Sequence, residues 1–110
     1  METLRFRFEQ GQRTINAPAQ MVGVVSSGNL EVLISPAELA AACEIQISTA
    51  AVGFGAIWQA VMRDFQARWQ LANVRIAIND MGATPAVVSL RLDQAVQSLL
   101  AQQQTGTDHA

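Results

Sequence analysis

The chain has 110 residues, enough for one hydrophobic core and too few for two domains. Half of the residues are hydrophobic, but no run approaches the roughly 20 apolar residues that cross a membrane, and the net charge of −2 argues against a nucleic-acid partner. The single cysteine, Cys43, excludes an internal disulfide and a cysteine metal site, so we expect no metal. Because the N-terminus is also unlike a signal peptide, the sequence predicts a cytoplasmic protein.

The N-terminal segment is predicted to begin with a half-buried β-strand. Leu4, Phe6 and Phe8 alternate with arginines, so that one face of the strand is apolar and the other is charged. Residues 10–20 contain glycine, asparagine and proline but few large apolar side chains, and they are predicted to form a loop.

The next segment has the pattern of a β-hairpin. Two apolar runs rich in β-branched residues, 21–25 and 30–34, flank the small residues Ser-Ser-Gly-Asn at 26–29. Glycine and asparagine tolerate the positive φ of a tight reversal. A serine hydroxyl is therefore expected at an exposed tip, where another protein can approach it or where it can carry a covalent group.

Four elements are predicted between the hairpin and residue 78. Ser35 begins a capping box that could start a short helix through Ala42. Residues 44–49 and 74–78 alternate between apolar and polar side chains and are predicted to be strands. Residues 55–70 are predicted to be a helix with one apolar stripe, formed by Ile57, Trp58, Val61, Met62, Phe65 and Trp69, and both tryptophans are predicted to lie in the core.

Two interpretations remain open for the segment after the predicted reversal. The alternation over residues 88–92 favours a strand near 86–91 followed by a helix near 92–102. Thr84 and Pro85 could equally be the N-cap and first residue of one long helix. We favour the strand.

The predicted elements combine into one α+β domain. A mostly antiparallel sheet of five or six strands with one apolar face would be covered by two helices, giving a two-layer sandwich. This domain is expected to span residues 1–102, followed by a flexible tail at 103–110.

Few residues are candidates for catalysis. The only histidine, His109, lies in the predicted tail, and Cys43 is expected to be a small, inert, partly buried side chain. Asp80 is expected to bond its own backbone in a turn. Arg75 and Arg91 are placed on the polar face of strands, where solvation is their default role and contact with an anionic group or a partner is the alternative. No catalytic set and no metal site can be assembled.

Two segments resemble a known family. Residues 24–33, Val-Val-Ser-Ser-Gly-Asn-Leu-Glu-Val-Leu, resemble the serine motif of the malonate decarboxylase acyl carrier (delta) subunits, which is related to a motif in the citrate lyase acyl carrier (gamma) chain. Residues 78–92 resemble that family's Asn-Asp-Phe-Gly-Ala-Thr-Pro-Gly-Val segment, with Met81 and Ala86 as departures. Together with similarities at the N-terminus and at 53–58, the resemblance runs over most of the chain.

The resemblance implies a covalent attachment site. Carried over residue by residue, it makes Ser27 the serine that holds 2'-(5''-phosphoribosyl)-3'-dephospho-CoA through a phosphodiester, with Gly28 and Asn29 forming the turn that presents it. Asn29 stands where the family usually has aspartate. If that carboxylate helps to position a metal-bound nucleotide donor during attachment, asparagine would slow the modification; if the residue only caps the turn, asparagine serves equally well. Ser26 is a possible wrong acceptor, although the match to Ser-Gly favours Ser27.

The resemblance also implies a non-catalytic carrier. Its thiol would hold acetyl, a transferase subunit would exchange acetyl for malonyl, and decarboxylase subunits would remove carbon dioxide through a stabilised enolate. The implied partners are the acetyl-ACP:malonate ACP transferase subunit, the malonyl-ACP decarboxylase subunits, and the holo-ACP synthase and malonyl transferase, where ACP is the acyl carrier protein. Neither a nucleic acid nor a membrane is implied.

Two alternatives stand beside this interpretation. The chain could be an unmodified structural adaptor subunit of such a decarboxylase or lyase complex, or the carrier chain of a citrate lyase-type complex. The presence of Ser27 followed by glycine favours the covalent carrier over the adaptor.

Overall fold

The computed structural model of the protein describes residues 1–15, 23–27 and 29–108, with side chains for all of these except 23–27 and 102–108. The elements in chain order are β1 (Glu2–Phe8), β2 (Arg13–Thr14), β3 (Gly23–Ser27), β4 (Leu30–Pro36), β5 (Cys43–Thr49), α1 (Gly55–Trp69), β6 (Leu71–Ala72), β7 (Val74–Asp80) and α2 (Pro85–Asp108).

Five strands form the main sheet in the order β1-β5-β7-β4-β3. All neighbouring pairs are antiparallel except β5 and β7, which are parallel and are connected through α1. This connection follows from strand geometry, because two parallel neighbouring strands need a crossover that brings the chain back to the same end of the sheet. The short strands β2 and β6 pair in parallel as a separate two-stranded ribbon.

Alternation along the central strands creates one apolar face. The strands β4, β5 and β7 bury every second side chain and leave the intervening ones more accessible. Burying each such aliphatic side chain contributes about 1.5–3 kcal/mol, so these rows hold the sheet against the helices. The fully or almost fully buried residues on this face include Leu30, Val32, Ile34, Ile45, Ile47, Val74, Ile76 and Ile78.

The two helices cover this face, as predicted. Helix α1 contacts β1, whereas α2 packs against β3 and β4. Three members of the predicted stripe, Trp58, Met62 and Phe65, are buried. The predicted core position is thus confirmed for Trp58, whereas Trp69 is only partly buried and Ile57, which belongs to the same stripe, is 45% exposed.

The predicted short helix after the hairpin is wrong. Ser35 and Pro36 are the last residues of β4, where they pair with β7 instead of capping a helix. The chain then turns with positive φ at Ala40 and Ala41, and Asn73 Oδ1 accepts hydrogen bonds from Leu39 N (3.0 Å) and Ala41 N (2.9 Å). Strand pairing outweighs a helix of two turns, which is marginal by itself.

The predicted strand at 86–91 is also wrong, because α2 begins at Pro85. Thr84 Oγ1 accepts the hydrogen bond from Val87 N (3.3 Å), as an N-cap does. The alternation at 88–92 is misleading, since Leu90 is 52% exposed. The buried residues follow a helical spacing instead: Val88, Leu92, Ala95, Val96 and Leu99.

The structure confirms the α+β class and the two-layer arrangement. The backbone of α2 continues to Asp108, beyond the predicted helix end near residue 102, whereas the flexibility of 103–110 stays a prediction. Within the described part of the chain, no helix is both long and apolar enough to cross a membrane.

Candidate functional site

The hairpin containing the predicted attachment serine is present. Strand β3 ends at Ser27, which pairs with Leu30, so two residues connect the strands. Of these, Asn29 is an exposed turn residue, whereas Gly28 lies outside the described residues. The first arm was predicted at 21–25; its residues 21 and 22 also lie outside the described part.

Ser27 belongs to a row of paired residues that crosses the sheet. It pairs with Leu30 on β4, Leu30 pairs with Asp80 on β7, and Asp80 pairs with Thr49 on β5. Ser26 belongs to the next row, where it pairs with Glu31. The register therefore gives the two adjacent serines different neighbours.

The hairpin turn is fixed to the turn that follows β7. Met81 N donates a 2.9 Å hydrogen bond to Asn29 O, immediately beyond the last pair of the β4–β7 ladder. This bond joins the Ser-Gly-Asn segment to the Asn-Asp-Met-Gly segment. The two sequence segments that carry the family resemblance are thus adjacent at one end of the sheet.

Asp80 organises this end of the sheet. Its side chain is 2% exposed, and its Oδ2 accepts a 2.8 Å hydrogen bond from the Thr49 hydroxyl. Its Oδ1 accepts hydrogen bonds from Gly82 N (3.2 Å) and Ala83 N (2.8 Å). Gly82 has φ +121°, a conformation that glycine adopts readily. The prediction that Asp80 bonds its own turn is confirmed, and the carboxylate additionally ties β7 to β5.

An apolar cavity of about 310 Å³ opens at the same end of the sheet. Its walls come from the loop before α1, from the first turns of α1, and from the segment between β7 and α2. Within the part of the chain that the structure describes, its polar lining residues are Asp80 and Thr84, and the apolar ones are Ala51, Phe54, Ile57, Trp58, Val61, Ala83 and Pro85.

The other candidate residues lie away from this end or make local contacts. Cys43 is fully buried and not partly buried as predicted, and burial together with the Glu44 carboxylate raises the pKa of its thiol to about 12, which agrees with the predicted lack of reactivity. Arg75 lies on the face of the sheet that the helices do not cover, and its Nη2 is 3.4 Å from Glu44 Oε1. Arg91 lies on α2, so its predicted strand position is wrong; its Nη1 bonds Gln94 Oε1 at 2.8 Å.

Two predictions remain, one on His109 and one on the absence of a metal site. His109 lies outside the described residues. Among the residues that the structure describes, no group of three His, Cys, Asp or Glu side chains is placed to hold a metal ion.

Sequence reasoning missed the cavity. It interpreted the apolar residues of α1 as one stripe, and it did not single out Phe54. The available signal was the first helical turn, where Phe54 and Ile57 are apolar although no polar capping residue precedes them; both are about half exposed, at 47% and 45%.

The chain is similar to a described protein family over most of its length. A family model of the malonate decarboxylase delta subunit (MdcD) matches residues 18–99. A malonate decarboxylase acyl carrier protein of Stenotrophomonas maltophilia is 60% identical over 103 residues, which cover 92% of this chain and 96% of the relative. One from Xanthomonas euvesicatoria pv. vesicatoria is 63% identical, covering 90% and 95%.

The fold is similar to that of a solved relative. A chain in the crystal structure of a Pseudomonas malonate decarboxylase hetero-tetramer in complex with malonate is 38% identical to this chain and superimposes with a TM-score of 0.71. The superposition covers 90% of this chain and 99% of that one.

Proposed function

Because the chain belongs to the malonate decarboxylase delta subunit family, we propose that it is the acyl carrier subunit of a malonate decarboxylase and that its phosphoribosyl-dephospho-CoA group is attached to Ser27. When bound, this group supplies a long arm ending in a thiol that holds acetyl and malonyl as thioesters. The chain's own task is to present that arm to the active sites of other subunits.

The observation that carries the proposal is the placement of Ser27 at the end of β3. The residue directly precedes a two-residue turn, and Asn29 in that turn is exposed. The Asn29 O–Met81 N hydrogen bond and the Leu30–Asp80 pairing hold the turn to the rest of the sheet. An attachment point on a fixed turn gives a long arm a defined origin, which is what repeated delivery to several active sites requires.

The surroundings of Ser27 fit a covalently held group. The residues on either side of Ser27 in the sequence, Ser26, Gly28 and Asn29, have short side chains, and the large residue paired with Ser27 across the hairpin is Leu30. Asn29 replaces the usual aspartate of the family, and its backbone oxygen, which every residue type has, accepts the anchoring bond from Met81. The turn is therefore held in a way that does not depend on a carboxylate at position 29.

The proposed partners follow from the carrier role. The relative of known structure is part of a hetero-tetramer, and we propose that this chain likewise binds decarboxylase and acyl-transferase subunits, after holo-ACP synthase and malonyl transferase have loaded it. Tethering makes each delivery effectively intramolecular, at local concentrations on the order of millimolar.

Reconstitution of the whole decarboxylase with Ser27→Ala tests this role. We expect the variant to join the complex, as seen by size-exclusion chromatography, but to turn over no malonate, whereas the adjacent Ser26→Ala retains turnover. Full turnover with Ser27→Ala would overturn the carrier role and support an unmodified adaptor. Loss of turnover only with Ser26→Ala would move the attachment site by one residue.

A further inference from the structure

The cavity beside Asp80 lies within reach of an arm that starts at Ser27. Ser27 and Asp80 are separated by two inter-strand steps, so their backbones lie about 10 Å apart at about 4.8 Å per step. Extended pantetheine has the backbone length of about four residues, roughly 13 Å at about 3.3 Å per residue. Even this terminal part of the arm is longer than the separation.

An exposed apolar side chain lies in the turn that is bonded to the hairpin, and others lie at the cavity. Met81, which is 60% exposed, lies in the turn bonded to Asn29, and Phe54 and Ile57 expose about half of their surface at the cavity. Exposed apolar side chains around a concave site are typical of surfaces that bind a ligand or a partner. A chain that leaves the hairpin turn towards the cavity would therefore pass beside an apolar side chain.

The size and lining of the cavity suit a small neutral group. Its volume of about 310 Å³ lies at the lower end of the range of small-molecule sites. Seven of the nine described residues that line it are apolar. The Thr84 hydroxyl accepts the capping bond of α2, and both Asp80 oxygens accept hydrogen bonds. The lining thus offers mainly apolar contact.

The same lining disfavours a carboxylate. Among the described residues that line the cavity, Asp80 alone is charged, and it is acidic. A second carboxylate would lose its hydration there without meeting a cation. The N-termini of both helices reach the lining, through Ile57 of α1 and through Thr84 and Pro85 of α2. The end of α2 compensates little for the lost hydration, because Pro85 has no N–H and Val87 N already donates to Thr84 Oγ1.

We propose that this cavity holds the acetyl-thioester end of the arm and disfavours the malonyl-thioester end; this rests on the proposed attachment at Ser27. Acetyl is neutral and malonyl carries a carboxylate, so the cavity shelters the first form and leaves the second free to enter a partner's active site. The carrier itself then biases which acyl form is exposed.

Two readouts on the holo carrier test the proposal. Mass spectrometry first establishes that the arm is attached at Ser27. Nuclear magnetic resonance of the thiol, acetyl and malonyl forms should then show acetyl-dependent shifts at the Trp58 indole N–H and the Ala83 amide, which malonyl does not produce. Hydroxylamine should cleave the acetyl thioester about tenfold more slowly than that of acetyl-CoA, the factor expected when the free arm is populated about a tenth of the time.

Filling the cavity provides the matched variants. Ala51→Leu places a larger side chain in it, and Ala83→Leu is a second variant in case the first fails to fold. Either folded variant should lose the acetyl-dependent shifts and the protection from hydroxylamine. Ala60→Leu adds the same side chain at an exposed position of α1 and should retain both.

The outcomes separate this inference from the proposed function. A chain that carries no arm overturns both, whereas an arm attached at Ser26 keeps the carrier role and overturns the cavity proposal, which starts from Ser27. An arm present at Ser27 with no acetyl-dependent shift, with equal responses to acetyl and malonyl, or with unchanged protection in Ala51→Leu overturns the cavity proposal alone. Shifts at Trp58 that appear only after decarboxylase subunits are added make the cavity a partner-docking site, which also overturns it.

Discussion

The stability of the fold should fall at high pH because of one buried thiol. Cys43 is fully buried at the start of β5, where it pairs with Phe8 on one side and Val74 on the other. Burial is the larger cause of its raised pKa, which moves from 9.0 to about 12, and the Glu44 carboxylate adds to it. The folded protein therefore retains this proton at a pH where the unfolded chain has lost it.

The size of the effect follows from these two values. At about pH 10.5 the unfolded thiol is about 1.5 pH units above its pKa, and the folded thiol is still protonated. At about 1.36 kcal/mol per unit, the free energy of unfolding should be about 2 kcal/mol lower than at about pH 8. The contribution is complete below about pH 9 and is lost progressively as the pH rises towards 12.

The composition makes the measurement selective. The chain contains no lysine and no tyrosine, so the arginines are the other side chains with a high pKa, and they titrate above this window. Urea unfolding between about pH 8 and 11, with a reductant present, should show the fall in the wild type but not in Cys43→Ala. The variant carries a roughly constant penalty of about 1 kcal/mol for the lost sulfur. Equal slopes in the two proteins would refute the reasoning.

Three further changes test the contacts that shape the site. Asp80→Ala removes the acceptor of three hydrogen bonds and should lower the free energy of unfolding by about 3 kcal/mol in urea titrations. The control Asp64→Ala, at an exposed position, should lower it by less than about 0.5 kcal/mol, and equal losses in the two variants would contradict the role of Asp80. Thr84→Ala should cost about 1 kcal/mol by calorimetry through the lost cap of α2, and Thr84→Ser should restore most of it. Asn73 has a φ of 58° and accepts two hydrogen bonds through its side chain, so Asn73→Ala should lower the free energy of unfolding by about 2 kcal/mol. Asn73→Asp keeps the acceptor oxygen and should show a smaller loss in thermal melts.

The strands could be predicted because alternation over 44–49 and 74–78 reports burial on one face directly. The hairpin turn could be predicted as well, since few residues other than Gly and Asn suit a two-residue reversal. The C-terminal segment could not, because Val88, Leu90 and Leu92 fit both a strand and one face of a helix over so short a span. Only packing, which buries Val88 and Leu92 and exposes Leu90, distinguishes the two.

The attachment residue could be predicted from the sequence, whereas its surroundings could not. Ser27 could be assigned from the order of residues around it, since family motifs are local in sequence. The cavity could not, because its walls come from three segments that only the β5–β7 crossover brings together. The bond between Asn29 and Met81 is equally non-local: it joins two motifs that are about 50 residues apart in sequence.

Peptide mass spectrometry of the chain produced together with its maturation enzymes tests the central claim most directly. The account predicts a mass increase equal to that of the phosphoribosyl-dephospho-CoA group, located on the peptide containing residues 26 and 27, assigned to Ser27 by fragmentation and lost in Ser27→Ala. A chain that remains unmodified under these conditions, yet still binds the decarboxylase subunits, would contradict the claim.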